Sequence, residues 1–89
     1  MTDSEKAAKV VDALKAAEHE PAPVALKVLN GLVGLVQGGG EQPLEVEDAR
    51  SSAFLAVCEV GKALHRGQPA DRLWQSAIEA AERWRSLAR

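Results

Sequence analysis

Residues 53–87 read AFLAVCEVGKALHRGQPADRLWQSAIEAAERWRSL, and this stretch decides the fold class. Before Gly67-Gln68-Pro69, the apolar positions Ala53, Val57, Val60 and Leu64 recur at steps of four and three, with Phe54 and Gly61 beside them. After it, Ala70, Leu73, Ala77, Ala80, Trp84 and Leu87 do the same. That period belongs to a helix, and alternating threes and fours make a seam for one neighbouring helix. Glycine just past a periodic run is a C-terminal cap, and Pro69 shortly beyond stops any continuation. Small residues on both seams let the two helices lie close, so an antiparallel hairpin is expected.

Working towards the N-terminus, the third helix begins between Pro43 and Asp48, about residue 46, and runs to 66; the fourth covers about 69–88. Glu45, Glu47 and Asp48 stand near the start of the third helix and His65 and Arg66 at its end, as the helix dipole favours. Residues 38–43, GGGEQP, are a flexible loop by composition. The second helix is expected over 23–37, with Pro23 at the tolerated first position. At 100° per residue its apolar side chains, from Val24 round to Leu26, cover roughly 200° of arc. One neighbour is too few for so much apolar surface, so this helix is expected to be the most buried. Gly31 and Gly34 inside it each cost about 1 kcal/mol against alanine. Close approach of another backbone would explain them; the alternative is a shorter helix ending at Asn30-Gly31. The first helix, about 3–19, opens with Thr2 and Glu5 at capping-box spacing. It carries Ala7, Val10, Val11, Leu14 and Ala17 on one face and ends before Pro21 and Pro23.

These elements make an all-α chain, a single domain over residues 1–89. Its four helices form two antiparallel hairpins, closed as a small bundle or completed by dimerisation. Sixteen of the 89 residues are alanine and only Phe54, Trp74 and Trp84 are aromatic. Alanine favours helix but buries little area, so a chain of this size gains from docking onto a partner or a second copy. A homodimer is therefore expected.

The net charge of −2 argues against a nucleic-acid coat, which needs a basic surface. The charge is uneven. Residues 41–59 carry Glu41, Glu45, Glu47, Asp48 and Glu59 against Arg50, net −4. Residues 62–89 carry Lys62, Arg66, Arg72, Arg83, Arg85 and Arg89 against Asp71, Glu79 and Glu82, net +3. Solvation and dipole matching account for this; complementarity within or between chains is the sharper reading. Cys58 is the only cysteine, which suits a reducing compartment. The acidic start lacks the basic and apolar regions of a signal peptide. The most apolar run, Val24 to Val36, is shorter than the roughly 20 residues that cross a bilayer. A cytoplasmic protein with no membrane contact is expected.

Few residues invite chemistry. Cys58 and His65 share a helix face but lie two turns, about 10 Å, apart, beyond the reach of a nucleophile and its base. Neither histidine stands at a metal-ligand spacing such as HExxH or ExxH, and Glu79 with Glu82 has no histidine on its helix. No metal and no cofactor is expected. The glycines from 31 to 40 lack the Lys-Ser/Thr of a phosphate-binding loop. Trp74 stands out instead. It lies about 80° round the helix from Trp84 and adjoins Ile78 and Arg85, with Arg89 nearby. Tryptophan flanked by arginine resembles an interface anchor; the other reading places Trp74 inside, against the first or second helix.

The functional expectation is a small non-enzymatic protein-binding module — an inhibitor, an antitoxin or immunity-type protein, or an adaptor — acting through Trp74, Ile78, Arg85 and Arg89. Two alternatives come from other classes. One is a helix-turn-helix-like nucleic-acid regulator using the arginines of the fourth helix. The other is a carrier of a small apolar ligand held between the alanine-rich seams and the second helix.

Overall fold

The computed structural model describes residues 2–38 and 41–89. Among them are four helices and no strand: α1 (Asp3–Ala17), α2 (Ala22–Val36), α3 (Leu44–His65) and α4 (Asp71–Leu87). The chain is all-α, as its periodicity predicts, and its boundaries fall within three residues of those expected. Gly39 and Gly40 of the expected loop lie outside the described residues.

The ends are set by local chemistry. Thr2 Oγ1 accepts the backbone N–H of Glu5 at 3.2 Å and the Glu5 carboxylate accepts that of Thr2, a complete capping box. At the end of α3, Gly67 has φ +66°. Its N–H reaches the Leu64 carbonyl at 3.2 Å, while that of Gln68 reaches Ala63 at 2.9 Å. These paired bonds form a Schellman cap, and the positive φ is why glycine stands there. α2 runs unbroken through Gly31 and Gly34, so the alternative of a shorter helix does not hold.

The short connections force each helix antiparallel to the one before, and α4 closes on α1 to complete a ring. The two hairpins therefore close as a small bundle, 37 × 19 × 18 Å. Small residues floor the core: Ala7, Ala25, Ala53, Ala77 and Ala81 are buried, with Val10, Leu14, Val57, Val60 and Trp84 filling the space between. Three polar ties sew α4 to α1. Trp84 Nε1 donates to Asp3 Oδ2 at 3.2 Å, Gln75 hydrogen-bonds Glu18, and Lys15 pairs with Glu82 at 3.1 Å.

Three expectations about burial are corrected. First, α2 is the helix least engaged with its neighbours, not the most buried. It buries Ala25, Leu29, Leu32 and Val36, but leaves Val24 exposed at 46% and Val33 at 38%. A helix in a four-membered ring touches two neighbours, and the apolar arc of α2 is wider than they cover: Val24 and Val33, about 180° apart, stay exposed at its two margins. Second, no backbone approaches Gly31 or Gly34. Both are exposed, and a Cβ on either would meet nothing within 4 Å. Third, the buried face of α4 is rotated from the expected seam. Trp74, Ile78 and Ala81 are buried, whereas Leu87 is exposed. The heptad seam supposes one neighbour; α4 packs on both α3 and α1 and buries a broader face.

Candidate functional site

The surplus apolar arc of α2 becomes a groove. Leu26, Leu29, Asn30 and Val33 form one wall and Val57, Cys58, Gly61, Lys62 and His65 of α3 the other, around an open volume of about 280 Å³. Local sequence builds it. α2 presents Leu29 partly inward and Leu26 and Val33 at its α3 flank, spaced as i, i+3, i+4 and i+7 positions on one stripe. On the facing stripe of α3, Gly61 has no side chain and Cys58 a small one, which leaves the space between Leu26 and Val33 of α2 and this stripe unfilled. The floor is apolar, and Asn30, Lys62 and His65 bring polar groups to the edge. Lys62 contacts Glu59 at 3.5 Å with both side chains more than half exposed, so its ammonium remains available to water or to a partner.

At the other end of this helix pair, Arg50 closes α2. Its Nη1 donates to the Val36 carbonyl at 2.6 Å, while Nε and Nη2 hold the Glu47 carboxylate at 3.1–3.3 Å. The guanidinium lies under Gly38, where a Cβ would come within 3.1–3.3 Å of it. α2 has no basic residue in its own last turn, so α3 supplies the cation that its C-terminal carbonyls favour. This anchors one end of the groove.

The residues singled out in the sequence do not come together as a surface. Trp74 is 3% and Ile78 7% exposed. Both lie in the core, which corrects the expected anchor and agrees with the reading that places Trp74 inside: α4 packs on two helices, α3 and α1, and buries this shoulder. Arg85 and Arg89 are exposed and line a shallow polar depression with Lys15, Glu82 and Ser86. Arg72 and Arg83 lie on another flank of α4, roughly 100–160° away, so these arginines offer no single stripe to a phosphate backbone. Cys58 and His65 do line one groove, two turns apart on the same helix. No cluster of three or more His, Cys, Asp or Glu able to hold a metal ion occurs among the described residues. Among them, too, no helix is long and apolar enough to cross a membrane.

No family model matches the chain, and no curated protein or solved structure matches it.

The residues missed at first were those of the groove. Their signal was present as the 200° arc of α2. That arc demands more burial than two ring neighbours supply, and the remainder lines the groove.

Proposed function

We infer that the chain is a non-enzymatic protein-binding module that receives an apolar helical segment of another protein in the α2/α3 groove. One observation carries this reading: an apolar floor open to solvent, with Val33 exposed at 38% on its wall and polar groups on both walls. Fixed apolar grooves bordered by polar side chains are the usual seat for the apolar face of an amphipathic helix. The chain's single free cysteine supports work in a reducing compartment such as the cytoplasm. An inhibitor, an antitoxin-like protein and an adaptor would all use such a groove in the same way.

The test compares proteins retained by the immobilised chain with those retained by Val33→Asp and Leu26→Asp variants of unchanged helicity. A partner held by the parent and lost by both variants supports the groove. Identical retention by all three overturns it.

A second reading, a carrier of a small apolar ligand, draws on the same lining, since 280 Å³ sits near the roughly 300 Å³ lower edge of small-molecule sites. Native mass spectrometry of freshly isolated protein separates the two. A discrete added mass lost on Val33→Asp favours the carrier, and the bare chain mass favours the protein-binding module.

A further inference from the structure

We propose that a second copy of this chain docks on the outer face of α3, antiparallel, with the two-fold axis passing beside Leu55. This contact runs along the outer face of α3 and shares Cys58, Lys62 and His65 with one wall of the groove.

The outer face of α3 carries its own seam. Leu44, Asp48, Ser51, Leu55, Cys58, Lys62 and His65 alternate steps of four and three, the spacing of a helix–helix contact. Among the described residues most of this face is open: Leu44 is 75% and Leu55 63% exposed, and Asp48, Ser51, Ser52, Glu59 and Lys62 are exposed with them. In a bundle whose other leucines are at least partly packed, two this exposed on one face of one helix need a reason. The residues a turn away from Leu55 include Ser51, Ser52 and Cys58, which are small enough to receive a leucine from a facing helix.

Charge complementarity identifies the occupant. In an antiparallel pair with its axis at Leu55, each residue faces the one equally far on the other side of Leu55 in the second copy. Asp48 and Lys62 stand seven positions either side of Leu55, about 10.5 Å along the axis. Asp48 of each copy therefore meets Lys62 of the other, twice over. The acidic beginning and basic end of the helix become complementary across the axis, as an isologous contact requires. A parallel pairing would instead set Asp48 on Asp48 and Lys62 on Lys62. The Glu59 contact with Lys62 does not compete strongly, since both groups are exposed and 3.5 Å apart.

One helix laid on one helix covers less than the roughly 1,200 Å² of a standard interface. The dimer is accordingly weak, concentration-dependent, and weakened by salt through its exposed ion pairs.

Sedimentation velocity from low micromolar to millimolar chain, at low and high salt, tests the proposal with four variants. The parent is expected to pass from monomer to dimer over this range. Leu55→Asp is expected to raise the dissociation constant at least about thirtyfold, the effect of losing a central anchor. Asp48→Lys and Lys62→Asp are each expected to weaken the dimer, because each sets like charges face to face, and the double exchange is expected to restore it. Circular dichroism confirms that the helices persist. A parent monomeric throughout overturns the proposal. So does a dimer indifferent to Leu55→Asp, or a double exchange no better than its parts. Val33→Asp, on the α2 wall of the groove, is expected to leave this dimer intact, and Leu55, outside the groove lining, is expected to matter for the dimer alone, so these two variants separate loss of partner capture from loss of self-association.

Discussion

The indole N–H of Trp84 donates to the carboxylate of Asp3 at 3.2 Å, joining residues 81 positions apart and closing α4 onto α1. The Trp84 side chain is wholly buried, so Asp3 is what makes a polar atom acceptable there. Asp3→Ala leaves that N–H without its partner, a loss of about 1–3 kcal/mol. For a domain of this size each kcal/mol lowers the melting temperature by roughly 4–8 °C. Asp3→Asn keeps an acceptor and is expected to lose less. Thermal unfolding followed by far-ultraviolet circular dichroism ranks the three chains, and equal melting temperatures for all of them would show that the bond contributes nothing.

Arg50 plays the corresponding part for α2. Its fork bonds the last helical carbonyl and Glu47 together, a geometry that a lysine ammonium cannot reproduce. Arg50→Lys is therefore expected to cost most of what Arg50→Ala costs, about 1.5–3 kcal/mol for a bond to a charged donor. Urea unfolding measures the total. Amide exchange locates it, with the faster exchange expected in the last turn of α2. Full rescue by lysine would reduce Arg50 to a point charge.

Trp74 shows where sequence reasoning stopped short. The number of helices, the cap at Gly67, the capping box and the small-residue seam between α3 and α4 were all legible, because each depends on residues within a few turns of one another. Ring closure was not. Whether α4 also packs on α1 depends on how the two hairpins come together, and no local spacing encodes that. The same missing fact misplaced Trp74, which awaited a cover, and α2, whose apolar arc exceeds what its two neighbours cover. Arg50 escaped notice for a similar reason: its partner carbonyl belongs to another helix, 14 residues away in sequence.

Burial of Trp74 makes the four residues first grouped as a surface separable by stability. Trp74→Ala removes a buried ring and is expected to cost about 3–5 kcal/mol, and Ile78→Ala about 2–5. Arg85→Ala and Arg89→Ala, on exposed flanks, are expected to stay within about 0.5 kcal/mol of the parent. Urea midpoints at constant slope check this. A Trp74→Ala chain as stable as its parent would return the ring to the surface.

Gly31 and Gly34 invite the opposite experiment. Both lie mid-helix on the open flank of α2, and a Cβ at either meets nothing within 4 Å. Nothing in the folded bundle requires glycine there, while its backbone freedom in the unfolded chain opposes folding. Gly31→Ala and Gly34→Ala are each expected to stabilise the protein by up to about 1 kcal/mol. Gly67→Ala is the control, since space is equally open there but φ is +66°; it is expected to destabilise by about 1–2 kcal/mol. Opposite signs would show that conformation, not room, decides what each glycine is worth. Amide exchange adds a second reading. α2 is the least engaged helix, so its amides should open most easily in the parent, and the two alanines should slow α2 exchange more than that of α4. Uniform slowing in all four helices would mean that α2 opens only when the whole bundle unfolds.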